Sequence, residues 1–161
     1  MGTAETFSMI VGGGILIFLI VYAFRRDHKL QSEGKIVTRK RNFVEEATEF
    51  ILLADPAAVA GELQKLPYPD MKLSMNAHSD GKSFDFFCPR WNWKARLFLK
   101  GAEGDKAVYC FEFLEWKVNG SMTIGDVYMN MLLTGVEKMF LSLDPHTQVQ
   151  TRLIETKTKS F

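Results

Sequence analysis

Eighteen consecutive residues, Phe7 to Phe24, carry no charge: FSMIVGGGILIFLIVYAF. As a helix rising 1.5 Å per residue, such a run is about 27 Å long, close to the thickness of the hydrocarbon core of a bilayer. Arg25 and Arg26 end it abruptly. The run therefore reads as an N-terminal transmembrane helix that tethers whatever follows. A cleaved signal peptide fits less well, because such peptides begin with basic residues, have a shorter apolar stretch and close on small residues. Here the start, MGTAETF, contains Glu5 and no Lys or Arg, and the run ends in Tyr22, Ala23 and Phe24.

Charge gives the orientation. Between Arg25 and Arg41 stand seven basic residues (Arg25, Arg26, Lys29, Lys35, Arg39, Lys40, Arg41) against two acids, Asp27 and Glu33. A Lys/Arg excess stays on the cytoplasmic side of a membrane. The expected organisation is a short non-cytoplasmic N-terminus over 1–6, a membrane helix over 7–24, a basic juxtamembrane linker over 25–41 and one domain over 42–161. That domain is expected on the cytoplasmic side, or on the matrix or stromal side in an organelle. At about 120 residues it suffices for a single ordinary core. A net charge of +1 gives no pull towards nucleic acid, and two cysteines, Cys88 and Cys110, make no disulfide scaffold.

Patterning predicts the elements. In RNFVEEATEFILLA, Phe43, Ala47, Phe50, Ile51 and Ala54 fall on one helical face, so a helix is favoured over residues 42–54, with a strand over Thr48–Ala54 as the rival. Asp55-Pro56 is a helix start, Asp as N-cap and Pro at the first position. Pro67-Tyr68-Pro69 ends that short helix. From Met71 the period becomes two, with strands expected at Met71–Ala77, Ser83–Cys88, Trp91–Leu99 and Val108–Val118. Short turns between them imply an antiparallel meander. In the third strand Trp91, Trp93, Ala95, Leu97 and Leu99 face one way and Asn92, Lys94, Arg96 and Lys100 the other, the pattern of a sheet with one covered and one wet face. Thr123 and Asp126 resemble a capping box opening a long helix to Leu143, whose stripe is Ile124, Tyr128, Leu132, Val136, Met139, Phe140 and Leu143. A last strand, expected at an edge, begins at Gln148.

Segregated strand and helix runs make an α+β domain, with an antiparallel four- to five-stranded sheet packed against a long helix. In element order, from about Asp55 to Leu143, this resembles the helix-grip architecture of START-type lipid-binding domains. The resemblance has no specific motif, so it carries no residue over, and a strand after the long helix departs from it.

Several residue sets invite a functional reading. Ser8, Gly12 and Gly13 would let a second helix approach closely in the membrane, the chain's own copy or a partner's; the plainer alternative is glycine tolerated in a lone span. Arg25, Arg26 and Lys29 are candidate contacts for anionic lipid. Trp91, Trp93, Trp116, Tyr128 and Met131 would suit the wall of an apolar cavity, although such side chains are more often core. Glu112 shares a strand face with Val108, Cys110, Leu114, Trp116 and Val118 if the alternation is unbroken. It then serves as a polar contact in a cavity or pairs with Lys94 or Arg96 on a neighbouring strand.

No metal-ligand spacing, phosphate-binding loop, dinucleotide fingerprint or nucleophile motif is present, so neither a cofactor nor a catalytic set is expected. The sequence points to a single-pass, membrane-anchored, non-catalytic interaction protein or accessory subunit. The alternative is a tethered binding module for a lipid or other apolar ligand.

Overall fold

The structure, a computed structural model, describes the backbone of residues 3–154 and 158–160 and the side chains of residues 15–154. The chain forms two compact units, residues 1–38 and residues 39–161.

The first unit is one helix, α1 (Thr3–Ser32), which runs through the whole apolar stretch. Its described apolar side chains stand in the open on every side: Ile17 is 64%, Phe18 67% and Phe24 74% exposed. Among the described residues no helix is long and apolar enough to cross a membrane. The side chains of residues 7–14, Ser8, Gly12 and Gly13 with them, lie outside the described residues. Arg25, Arg26 and Lys29 are exposed on the polar end of α1, Arg26 bonded to Asp27 at 2.9 Å and Lys29 3.8 Å from Glu33. The helix closes at Gly34, which takes φ +66°; its N–H reaches the Gln31 carbonyl and that of Lys35 reaches the Leu30 carbonyl. This pair of bonds satisfies carbonyls that a helix end leaves open.

The second unit is α+β. A 3-10 turn at Phe43–Glu45 leads into β1 (Glu46–Leu52), followed by α2 (Pro56–Leu63) and α3 (Tyr68–Met71). The meander is β2 (Ser74–Ala77), β3 (Ser83–Cys88), β4 (Trp93–Glu103) and β5 (Lys106–Asn119). Then come β6 (Met122–Thr123), α4 (Asp126–Leu143), β7 (Gln148–Leu153) and β8 (Thr158–Ser160). Six strands follow one antiparallel path, β2-β3-β4-β5-β1-β7, while the short β6 and β8 also pair with β5, β8 in parallel.

This sheet is larger than the four to five strands expected, and the reason is β1. The helix favoured over 42–54 is instead a 3-10 turn and a strand lying between β5 and β7. Thr48 and Leu52 share the face of Phe50, yet Ala47 and Ile51 on the other face are buried as well, so burial along this strand does not alternate. That run of apolar residues fits a helical wheel equally well.

α4 covers one face of the sheet. Phe50 of β1 stacks on Phe140 of α4 with centroids 4.6 Å apart, and Tyr109 of β5 meets the same ring at 5.3 Å. Trp93, Phe84, Phe86, Phe111 and Phe113 fill the layer between, each at most 2% exposed. Burying a side chain of this size contributes about 2–3 kcal/mol. α2 begins as expected, Asp55 accepting from the Ala57 N–H at 3.2 Å with Pro56 at its first position. α4 does not begin as expected: its N-cap is Gly125 with no side-chain cap, so the Thr123–Asp126 capping box is not formed.

Candidate functional site

Two strand irregularities decide which side chains meet. In β5, Phe113 pairs with Ala95 and Glu115 with Lys94, so Leu114 is an extra residue. Such a bulge advances the side-chain phase by one. Tyr109, Phe111 and Phe113 face α4, and beyond the bulge Trp116, 1% exposed, faces the same way. Glu112 therefore does not share the face of Trp116. In β4, Lys100 is the extra residue between Leu99 and Gly101 and its ammonium reaches Glu49 at 2.8 Å.

The covered face holds most of the apolar candidates as packed core. Trp93 is fully buried, edge-on to Phe113 at 5.9 Å, and Met131 is 6% exposed. Trp91 and Tyr128 are half-buried and stack at 6.3 Å, with the Arg90 guanidinium 5.1 Å from the Trp91 ring. The stack sits under the start of α4, where Gly125 has φ +79° and a Cβ would lie 2.8 Å from Trp91 Cβ. Glycine answers both the left-handed backbone and the close approach. The Trp93 Nε1 and Tyr109 Oη atoms are buried with no hydrogen-bond partner among the described residues. Burial, with the Asp55 charge adding to it, pushes the Tyr109 hydroxyl up to about 12.

The opposite face is ionic. Arg96 of β4 donates to Asp85 of β3 at 2.7 and 3.2 Å, and His78 Nε2 lies 2.8 Å from the same carboxylate. Glu112 is the register partner of Arg96 on the other side. Lys94 pairs with Glu115 at 3.0 Å, and Glu49 takes both Lys100 and Arg152. The hydrogen bond from Arg96 holds the Asp85 carboxyl below its usual value against the cost of burial, and the bond from Lys100 does the same for Glu49. A groove of about 290 Å³ opens here between Glu49, Ile51, Lys100, Val108 and Gln150. A second groove, about 410 Å³, is lined by Arg41, Asn42, Glu45, Trp116, Ser121 and Thr123.

Arg39, part of the expected juxtamembrane linker, is built into the domain. Its guanidinium binds Asn130, Thr134 and Glu137 along α4 and lies 5.9 Å from the Phe43 ring. Arg41 likewise donates to Ser121. The sequence signal for this contact is a polar stripe on α4 at spacings of four and three, easily overlooked beside the apolar one.

The chemistry available is modest. Both cysteines are free and buried, and burial pushes their thiols up, the reverse of what a nucleophile needs. Among the described residues no group of three His, Cys, Asp or Glu could hold a metal ion. No protein-family model matches the chain, and no curated protein or solved structure matches it at a significant level.

Proposed function

We propose that the protein is a membrane-tethered accessory or interaction protein, α1 holding it at a bilayer and the α+β domain presented to a partner on the cytoplasmic, matrix or stromal side. One observation carries this reading: the side chains from Ile15 to Tyr22, and Phe24, are 44–74% exposed around the full circumference of α1. A helix that is apolar all round is stable only where something apolar surrounds it. Residues 7–14 extend the same stretch in sequence to a length that fits a bilayer. Arg25, Arg26 and Lys29 follow at the headgroup level, where each cation contributes about 1 kcal/mol on an anionic surface. The packed interior between the sheet and α4 supports a domain that offers its surface rather than a cavity.

The second reading, a tethered module for a lipid or other apolar ligand, draws on the orphaned Trp93 Nε1 and Tyr109 Oη inside that interior. Polar atoms left without partners in a core call for a water or a ligand group.

Membrane fractionation of the full-length chain with alkaline extraction tests the tether. Retention in the membrane pellet, lost when Ile17 and Leu19 are both changed to Lys, is expected; release of the wild-type chain by alkali overturns it. Native mass spectrometry from mild detergent then separates the readings. Co-purifying polypeptides support the accessory role, and a bound mass of a few hundred daltons, lost on Trp93→Phe, supports the ligand module.

A further inference from the structure

β7 ends the strand path, so among the described residues only its β1 side is paired. Natural edge strands are blunted by bulges, prolines, charges or brevity. β7 has none of these devices in force. Its six residues QVQTRL pair with β1 in unbroken register from Glu46↔Leu153 to Ile51↔Gln148. Its single charge, Arg152, is turned back to Glu49 of β1 at 3.1 Å. Val149 is the register partner of Phe50, which faces α4, so Val149, Thr151 and Leu153 lie on the helix side of the sheet. α4 does not reach them: Val149 remains 43% and Leu153 66% exposed.

We propose that this edge pairs with β7 of a second copy of the chain, antiparallel across a two-fold axis at Thr151, joining two sheets into one. The register follows from the sequence. Directly opposed residues in an antiparallel pair share a face, so a two-fold axis must pass through a residue rather than between two. An axis at Thr151 sets Thr151 against Thr151, Val149 against Leu153 of the second copy, and Gln150 against Arg152. Each exposed apolar residue is then covered by another, and the threonines form a favourable cross-strand pair. An axis at Gln150 leaves Leu153 against Thr147, outside the strand. An axis at Arg152 opposes two like charges, which destabilises a sheet. This interface lies wholly in the second unit and does not depend on how α1 is covered.

Single cysteines in the full-length chain, kept in mild detergent, test it. The native Cys88 and Cys110 are 0% and 1% exposed and give little background. In the proposed register the two Thr151 Cα atoms lie about 5 Å apart, within disulfide reach, whereas the two Gln150 Cα atoms lie about 8 Å apart, beyond it. Mild oxidation of Thr151→Cys should convert most of the chain to a disulfide-linked dimer on a non-reducing gel. Gln150→Cys should stay free of the disulfide link, and Val149→Lys added to Thr151→Cys should abolish it. Both cysteines linking, or neither, or a link that survives Val149→Lys, overturns the proposal. So does a monomeric mass of the wild-type chain in light scattering across the micromolar range.

Discussion

Arg39 grips Glu137 fork to fork: Nη1 donates to Oε1 at 3.0 Å and Nη2 to Oε2 at 2.6 Å, with the two side chains only 14% and 20% exposed. The same guanidinium gives Nε to Asn130 Oδ1 at 2.9 Å and Nη2 to Thr134 Oγ1 at 3.2 Å. Arg39 is the first residue of the second compact unit, and this one side chain ties that residue to three positions along α4.

Removing one partner of a mostly buried pair leaves the other charge uncompensated. Arg39→Ala should cost about 2–3 kcal/mol, measured as a shift of the denaturant midpoint. Arg39→Lys should recover only part of that, because an ammonium cannot serve a bidentate carboxylate, Asn130 and Thr134 at once. A lysine variant as stable as wild type would show that the charge alone matters.

At the start of α4, Gly125→Ala meets two obstacles, the left-handed backbone and the Trp91 side chain at 2.8 Å. The backbone strain alone is worth about 1 kcal/mol, and displacing a stacked indole adds to it, so a loss of about 2–3 kcal/mol is expected. Trp91 emission should shift to the red as its stack on Tyr128 loosens. Unchanged emission with lowered stability would assign the whole cost to the backbone.

How far the sequence discloses this molecule depends on how local each signal is. Asp55-Pro56 is a self-contained helix start, and it forms as read. The alternation in Trp93, Ala95 and Leu97 needs only its own strand, and it too is legible. The position of β1 depends on β5 and β7, far away in sequence, so its buried run is ambiguous until pairing is known. The same holds for Arg39, whose partners begin at Asn130. Strict alternation misplaces Glu112 and Trp116 relative to each other because a bulge is a property of two strands together. Nothing in YCFEFLEWKV marks Leu114 as the unpaired residue.

That bulge gives a sharp prediction. Deleting Leu114 restores strict alternation, which would carry Trp116 from the α4 side to the ionic face beside Lys94 and Arg96. A fully buried Trp is lost from the core, a cost of about 3–5 kcal/mol by analogy with truncating a large aromatic residue. Ordinary shortening elsewhere should be tolerated: removing Asp105 from the exposed β4–β5 turn should cost far less. Equal effects of the two deletions in thermal denaturation would mean that Trp116 does not owe its place to the bulge.

The ionic face of the sheet contributes to the response to acid. The Arg96 hydrogen bond lowers the Asp85 carboxyl from its ordinary value of 3.8, and the Lys100 bond lowers that of Glu49 from 4.5. Between the folded and unfolded values the unfolded chain binds more protons, so stability rises with pH there. The contribution of both carboxylates is complete above the ordinary values and is lost as pH falls through the lowered ones. The denaturant midpoint should therefore be flat above about pH 5.5 and fall below about pH 4.5. Arg96→Gln removes the main cause at Asp85 while leaving Glu49 to its lysine, so part of the acid limb should disappear and part remain. Lys100→Met should remove a further part, the largest cause at Glu49, while Arg152 still lowers that carboxyl and the backbone hydrogen bonds to Asp80 and Asp144 lower theirs. An acid limb in Arg96→Gln as steep as in wild type would exclude Asp85 from the acid response. The Arg96–Asp85 pair would then be a solvent-screened contact with no measurable part in stability.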